Sequence, residues 1–218
     1  MTSMTLHRLH ITFWFMLLAA ALPGVESHLS AQTIITLDAD SKIWIEGRSN
    51  VNRFTCAAEK YEGEARIYSE SLEEVASRAD EQVRLELNIP VRSFECGRSR
   101  MNRDLYDALK SDEYFYITFE FQEAETLSSN GNGSFTLRVH GILTVAGTSR
   151  EIAFEAEGFI LENNRVRAVG EKTILMTDYN VEPPTGLLGL VRAENRLTVH
   201  FDLYASPTNR SEIINLQR

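Results

Sequence analysis

Hydrophobic and polar residues alternate along much of the chain, and this alternation predicts a protein built from β-strands. Successive side chains of a strand point to opposite faces, so a strand with one buried face places an apolar residue at every second position. The longest alternating segments are residues 85–91, 116–121, 135–145, 151–157 and 197–204. Shorter candidates are residues 42–46, 54–58, 65–69 and 173–177.

Turn-forming residues separate these segments and predict tight antiparallel connections. The run Asn130-Gly131-Asn132-Gly133 is a strong hairpin signal, because Asn and Gly tolerate positive φ. Two further turns are predicted at residues 146–148, Ala-Gly-Thr, and at residues 163–164, Asn-Asn. These connections are too short for the helical crossovers that parallel strands need.

Two segments have helical features. Residues 71–80 are charged and contain alanine, which is typical of one or two helical turns. Residues 101–110 place Leu105, Ala108 and Leu109 on one face, at the spacing of an amphipathic helix. The sequence therefore predicts an all-β fold with one or two short helices.

The apolar strand faces must be buried, and two architectures achieve this. A sheet of about eight strands that closes into a barrel has no exposed edges, and its interior holds side chains or one ligand. Two packed sheets form the competing sandwich. Periodicity alone does not separate the two.

The first 31 residues have the three-part pattern of a secretory signal peptide. Arg8 precedes an apolar run at residues 11–22, and a break and small residues follow, with cleavage expected after Ala31 or Ser27. The run is about a dozen residues, shorter than the roughly 20 that span a bilayer, so a retained membrane anchor is the weaker alternative. We therefore expect a periplasmic or secreted protein.

The formal net charge is −9, and it stays −9 without residues 1–31, which carry one charge of each sign. An acidic surface repels nucleic-acid phosphates and disfavours electrostatic docking to anionic lipid. No later segment is long and apolar enough for a transmembrane helix, so we expect no stable membrane insertion. A homodimer is left open.

Cys56 and Cys96 are the two cysteines of the chain. One disulfide and two buried free thiols are the alternatives, and export favours the disulfide. Two thiolates alone do not complete the tetrahedral shell of a zinc site, and the sequence contains no CxxC redox motif.

No residue pattern in the sequence points to catalysis. After cleavage at Ala31 the chain keeps only His140 and His200, both on the polar face of predicted strands, where a structural or solvated role is expected. Most carboxylates alternate along strands, as on a solvated outer face. We find no metal-ligand spacing and no phosphate-binding glycine motif, so we expect no cofactor and no enzyme activity. A hydrolase or isomerase with a carboxylate site is the weakest hypothesis.

Four segments carry a resemblance to a known family. They are DSKIWIEG at 40–47 with residues 51–54, MNRDLYDALKSDEYFYITFEF at 101–121, GILTVAGTSR at 141–150 and MTDYNVEPP at 176–184. In this order they resemble the YceI-like family of bacterial, often periplasmic, lipid-binding barrels. Tyr116 stands where the family usually has proline, and Arg150 where it has lysine. Asn50 and Asn52 replace a His and Ser cluster of more typical members.

The resemblance covers roughly residues 33–205 and implies a lipocalin-like, extended antiparallel β-barrel. It also implies that the interior encloses an isoprenoid chain, such as a polyprenyl compound or an isoprenoid quinone. Arg103 and Asp104 match the Arg-Asp of the family's helix; they either touch a ligand head group or form a local ion pair and helix cap, and the structural role is favoured. The expected organisation is a signal peptide at 1–31, the barrel at 33–205 and a polar tail at 206–218.

The apolar face of the strands supplies the candidate ligand-binding residues. They are Trp44, Phe54, Ile117, Phe119, Phe121, Leu143, Val145, Phe154, Val199 and Phe201. The leading hypothesis is an exported protein that sequesters or carries an isoprenoid or other long-chain lipid, whose tail gains about 0.8 kcal/mol for each methylene removed from water. The alternative is an exported domain with a solid core that acts through protein contacts, for example in stress response, and has no small-molecule ligand.

Overall fold

The structure, a computed structural model, describes residues 33–67, 83–130, 132–186 and 190–208. The predicted signal peptide, the predicted helix at residues 71–80, Gly131 of the first predicted turn and the tail from residue 209 onward lie outside these residues. Strands make up most of what is described, as the alternating pattern predicts.

Twelve strands and one helix, α1 (Ser99–Ala108), form the described part of the fold together with short 3-10 turns. The strands are β1 (Thr33–Leu37), β2 (Lys42–Ser49), β3 (Arg53–Ala58), β4 (Glu62–Ile67), β5 (Val83–Pro90), β6 (Phe94–Glu95), β7 (Tyr116–Ser129), β8 (Ser134–Val145), β9 (Thr148–Ile160), β10 (Val166–Leu175), β11 (Thr185–Gly186) and β12 (Val191–Pro207). Helix α1 ends two residues before the segment predicted from the sequence, because Lys110 adopts a positive φ of 52°.

The strands pair in a closed antiparallel ring. The order is β1-β4-β5-β7-β8-β9-β10-β12, and β12 pairs with β1 to complete the circle. Strand β12 is long enough to pair with β1 through residues 205–207 and with β2 through residues 193–202. The ring confirms the predicted antiparallel barrel and excludes the sandwich, whose two sheets stay separate.

The strand count is larger than the predicted eight because three of the eight ring positions are interrupted and because the short strand β11 pairs with β12 outside the ring. Strands β2, β3 and β6 continue β1, β4 and β5 along the barrel. Both β1 and β2 pair with β12, and the pairings β2–β3 and β3–β6 repeat the pairings β1–β4 and β4–β5 further along. A turn closed by the hydrogen bond from the Ser41 N–H to the Asp38 carbonyl separates β1 from β2. A 3-10 turn at Val91–Ser93 follows Pro90 and separates β5 from β6.

The two predicted turns that lie in the described residues are confirmed. Ala146 and Gly147 have φ values of 46° and 74° and join β8 to β9. Asn163 and Asn164 have φ values of 61° and 58° and join β9 to β10. Positive φ at two successive residues matches the right-handed twist of a hairpin, which explains the choice of Asn and Gly.

Phenylalanine rings lie over glycines on the interior face of the barrel. Each ring occupies the space that a glycine Cβ would take on a neighbouring strand, so a larger residue at the glycine would overlap the ring. The pairs are Phe54 on Gly47, Phe119 on Gly141, Phe135 on Gly158 and Phe201 on Gly170. These rings therefore cover the wall of the barrel.

Helix α1 covers one end of the barrel. Its residues Leu105 and Tyr106 contact both buried clusters of the core. One cluster contains Val91, Leu109, Val145, Ala146, Met176, Tyr179, Val181 and Leu197, and the other contains Ile43, Ile45, Cys56, Ile89 and Phe94. The cysteines form the disulfide Cys56–Cys96, which ties β3 to the segment before α1.

Candidate functional site

A cavity of about 380 Å³ lies at the end of the barrel that α1 covers. Its wall is built from the β2–β3 hairpin, α1, residues 174–186 and the start of β12. The volume falls in the range of about 300–1,000 Å³ that is usual for small-molecule sites. The cavity thus joins segments that are far apart in sequence.

The wall of this cavity is mainly apolar. Its hydrophobic residues are Ile45, Val51, Phe54, Cys56, Met101, Leu105, Ala108, Leu109, Val145, Ile174, Met176, Tyr179, Val181, Pro184, Val191, Ala193 and Leu197. The charged residues of the wall are Arg53, Arg98 and Asp104, and Asp104 lies 3.9 Å from Arg100. Burial raises the pKa of the Tyr179 phenol, so this ring stays neutral in the wall.

Nine of the ten predicted ligand-binding residues lie on the interior face of the barrel. The register shows this, because Phe119 faces Leu143, Phe121 faces Gly141 and Val199 faces Ile45 across their strand pairs. The nine are Phe54, Ile117, Phe119, Phe121, Leu143, Val145, Phe154, Val199 and Phe201. Phe54 and Val145 line the 380 Å³ cavity, and the other seven lie on the interior face beyond it.

Most of these interior side chains are only partly buried. Phe119, Phe154 and Phe201 form a chain of aromatic contacts between β7, β9 and β12, with centroid distances of 5.7 and 5.5 Å, yet all three remain accessible. Val145, next to α1, is the exception among the predicted residues and is only 6% exposed. A close-packed core would bury inward-facing rings completely. The interior beyond the cavity is therefore incompletely filled, and the cavity under α1 leaves further space at the helix end.

Trp44 lies on the outer face of the barrel, and the expectation that it joins the interior group is wrong. Its neighbours Ile43 and Ile45 take the interior positions of β2, and alternation then places Trp44 outside. The indole stacks on His200 of β12 at 5.0 Å with an interplanar angle of 8° and donates a hydrogen bond to Glu46. Because Ile43, Trp44 and Ile45 are all large and apolar, the sequence does not show which of them face the interior.

Both histidines lie on the outer face, as the sequence predicts. His200 sits between Glu46 and Glu171, at 3.7 and 3.2 Å, and its Nε2 is buried without a hydrogen bond. His140 is opposite Glu123 on β7. Neither lines the cavity, and the part of the chain that the structure describes contains no cluster of residues able to hold a metal ion.

The outer wall of β10 and β12 is fixed by an ion pair. Arg167 donates hydrogen bonds of 2.8 and 2.9 Å to the two carboxylate oxygens of Asp202 and lies over the Tyr204 ring. These hydrogen bonds hold the pKa of Asp202 below its ordinary value, and they outweigh desolvation, which acts in the opposite direction. The pair spans neighbouring strands on the face opposite the interior.

Lys172 is a charged residue at an interior-facing register position. It lies opposite Val199, and its Nζ donates a 2.7 Å hydrogen bond to the carbonyl of Ala153. The ladder between β9 and β10 ends at the pair Ala156 and Gly170, so this carbonyl has no partner on β10. The Lys172 ammonium group provides the hydrogen bond that the Ala153 carbonyl would otherwise lack, which indicates a structural role for this lysine.

Arg103 and Asp104 do not form the expected local ion pair. Successive helical residues point in different directions, so Asp104 faces Arg100 one turn earlier while Arg103 is exposed. Asp104 lies in the middle of α1 and cannot cap it. Asn102 instead accepts a hydrogen bond from the Cys96 N–H and donates one to Glu95.

Sequence reasoning missed most of the residues that line the cavity. Leu105, Ala108 and Leu109 carried a usable signal, since their helical spacing marks a face that must be buried. Met176 and Val181 lie in a motif of the resemblance but not in an alternating segment. Their place depends on tertiary contacts with α1, which no local pattern records.

Among the described residues, no helix has the length and hydrophobicity required to cross a membrane. A search of curated proteins finds no match to the chain.

The YceI-like domain model matches residues 36–205. The fold is similar to that of Burkholderia cenocepacia BcnA, with a TM-score of 0.61 and 19% identity, covering 77% of this chain and 98% of that chain. It is also similar to a polyisoprenoid binding domain from Saccharophagus degradans, with a TM-score of 0.60 and 15% identity, covering 80% and 98%. The YCEI protein of Campylobacter jejuni gives a TM-score of 0.54 at 16% identity, covering 71% and 85%. The similarity to these three structures shows that the fold is shared. Because the family model matches most of this chain, the chain belongs to the YceI-like domain family.

Proposed function

We propose that this protein is an exported carrier that holds the tail of an isoprenoid lipid inside its barrel and has no catalytic activity of its own. The observation that carries the proposal is the partly buried apolar interior around Phe119, Phe154 and Phe201, together with the mainly apolar cavity under α1. A domain that acted only through its surface would gain stability from a filled core. One similar structure is a polyisoprenoid binding domain, which supports the same ligand class.

The binding energy comes from removing the tail from water. Each buried methylene contributes about 0.8 kcal/mol, so ten of them contribute about 8 kcal/mol, which corresponds to a micromolar dissociation constant. Loss of ligand freedom subtracts from this value. A longer isoprenoid chain therefore binds tightly without specific polar contacts, and its head group rests near the mouth of the cavity.

Export is supported by the N-terminal sequence pattern and by the disulfide, which is typical of oxidising compartments. We expect the mature protein in the periplasm or outside the cell. N-terminal sequencing of protein from the periplasmic fraction tests this, because it returns a new N-terminus near residue 28 or 32 if the signal peptide is removed.

Filling the cavity tests the binding site. Ala193 lines the cavity from β12, and A193W places an indole inside it. The matched control is T55W, which adds the same side chain on the exposed outer face of β3. Excluding two methylenes of the tail costs about 1.6 kcal/mol, so A193W is expected to weaken binding of a fluorescent polyprenol more than tenfold.

The control variant is expected to bind with wild-type affinity. A193F provides a smaller obstruction if A193W does not fold, as judged by thermal unfolding. Equal affinities for all three folded variants and the wild type contradict the proposed site. A wild-type protein that binds no polyprenol after removal of its endogenous lipid contradicts the carrier function and favours the solid-core alternative.

A further inference from the structure

The mouth of the cavity carries two exposed hydrophobic side chains. Val51 lies at the tip of the β2–β3 turn and is 67% exposed, and Leu190 directly precedes β12 and is 75% exposed. Among the large hydrophobic residues in the described ranges, these two are the most exposed. Val51 is also part of the cavity wall, so the exposed tip continues directly into the apolar interior.

Hydrogen bonds hold these two side chains in one place. Asn50 donates from Nδ2 to the Leu190 carbonyl at 2.9 Å and accepts at Oδ1 from the Arg192 N–H at 2.9 Å. The Asn50 N–H also donates to the Arg192 carbonyl at 3.1 Å. Asn50 therefore fastens the turn that bears Val51 to the segment that bears Leu190.

Arginines surround this apolar tip. Arg48 and Arg53 lie directly opposite each other in the register of β2 and β3, and Arg53 and Arg98 both line the cavity. Like charges in direct cross-strand register destabilise a sheet. Within the described residues, none of these three guanidinium groups has an acidic partner. Folding alone gives no reason for the pair, whereas an external anion would.

We propose that this rim docks on a membrane surface that contains anionic phospholipids, with Val51 and Leu190 in the interface and the arginines on lipid phosphates. The net charge of −9 disfavours such docking for the molecule as a whole, but the three arginines of the rim carry the opposite charge, and the acidic Asp104 of the cavity wall is paired with Arg100. The inference rests on the proposed carrier function. An isoprenoid tail that passes from the bilayer into a docked cavity avoids crossing water, which is the unfavourable step.

Vesicle sedimentation with the full-length mature protein tests the docking. The probes are vesicles of phosphatidylcholine alone and vesicles that also contain phosphatidylglycerol. The wild type is expected to bind the anionic vesicles more tightly and to lose this preference in high salt, since exposed charges are screened. R48Q/R53Q is expected to reduce the preference, by about fivefold for each arginine.

The apolar tip is tested with V51D/L190D, with V51S/L190S as a milder version. The matched control is L161D, because Leu161 is exposed on the β9–β10 turn at the opposite end of the barrel. The tip variants are expected to lower binding to anionic vesicles at least about tenfold, whereas L161D leaves it unchanged. Thermal unfolding verifies that each variant is folded.

The outcomes separate docking from ligand binding. Val51 lines the cavity and Leu190 does not, so L190D alone serves for the comparison with ligand binding. L190D that binds fluorescent polyprenol from solution as the wild type does, but acquires it slowly from vesicles, supports the proposal. Wild-type protein that binds neither vesicle, or tip variants that bind like the wild type, overturn the docking surface and leave the carrier function intact. If the wild type binds vesicles but binds no polyprenol in solution, the docking surface is supported and the carrier function is contradicted.

Discussion

Reduction of the Cys56–Cys96 disulfide is expected to lower the free energy of unfolding by about 4 kcal/mol. The bond joins residues 40 apart in sequence, and the loss of loop-closure entropy in the unfolded chain gives about this value for a loop of that length at 25 °C. The loop contains β4, β5 and β6, which belong to two ring positions of the barrel, so the bond constrains both positions. A large part of the total stability of a domain this size depends on it.

The packing around the bond adds a second, separable effect. Cys56 is only 1% exposed and lies among Ile43, Ile45, Ile89 and Phe94. Reduced wild-type protein keeps both sulfur atoms and loses only the covalent constraint. C56A/C96A also removes the sulfur atoms, and the space left in the core is expected to cost about 1 kcal/mol more.

Urea unfolding measures both effects, with Trp44 fluorescence as the signal. At a slope of about 2 kcal/mol per molar urea, a loss of 4 kcal/mol moves the midpoint down by about 2 M. The oxidised wild type is compared with the reduced wild type and with C56A/C96A. Equal midpoints for the oxidised and reduced wild type would refute the reasoning, because they would mean that the bond does not restrict the unfolded chain.

Three further perturbations have defined outcomes. G141V is expected to lower stability by about 1–3 kcal/mol in thermal unfolding, because its side chain overlaps the Phe119 ring and the Glu120 carbonyl. G186A is expected to change stability by less than about 0.5 kcal/mol, because its added methyl group meets only Val191, at an ordinary contact distance of 3.9 Å. N50A removes the two side-chain hydrogen bonds of Asn50 at the cavity rim and is expected to speed the exchange of bound fluorescent polyprenol severalfold; an unchanged rate contradicts the role of the Asn50 side chain. Because Arg167 lowers the pKa of Asp202, the ionised carboxylate of Asp202 stabilises the fold above about pH 4. Protonation of the carboxylate removes this stabilisation as the pH falls through the lowered pKa. Wild-type melting temperatures are therefore expected to fall more steeply below about pH 4 than those of D202N, and parallel curves would show that Arg167 gives no such stabilisation.

The alternating pattern was sufficient to predict the strands and the interior residues wherever one apolar residue stood at every second position. In β7 and β8 the predicted residues all face the interior, because each polar neighbour fixes the parity. In β2 the run Ile43-Trp44-Ile45 has no such marker. In the structure Trp44 pairs with His200 of β12 on the outer face, and this pairing cannot be read from the sequence of β2 alone.

The cavity was much harder to predict than the barrel. Its wall combines α1 with residues 174–186 and the start of β12, and these segments meet only in the folded chain. Short strands such as β6 and β11 also escaped prediction, because two residues carry no periodicity. The resemblance to a family implied the class of ligand that we propose, whereas the alternating pattern alone predicted only strands with one buried apolar face.

Native mass spectrometry of the mature protein, purified from its own host without detergent, tests the carrier function most directly. The account predicts a population heavier than the polypeptide by the mass of one long-chain lipid, which disappears after extraction with organic solvent and is reduced in A193W but not in T55W. A wild-type protein with the polypeptide mass alone, which also takes up no isoprenoid lipid when one is supplied, would contradict it.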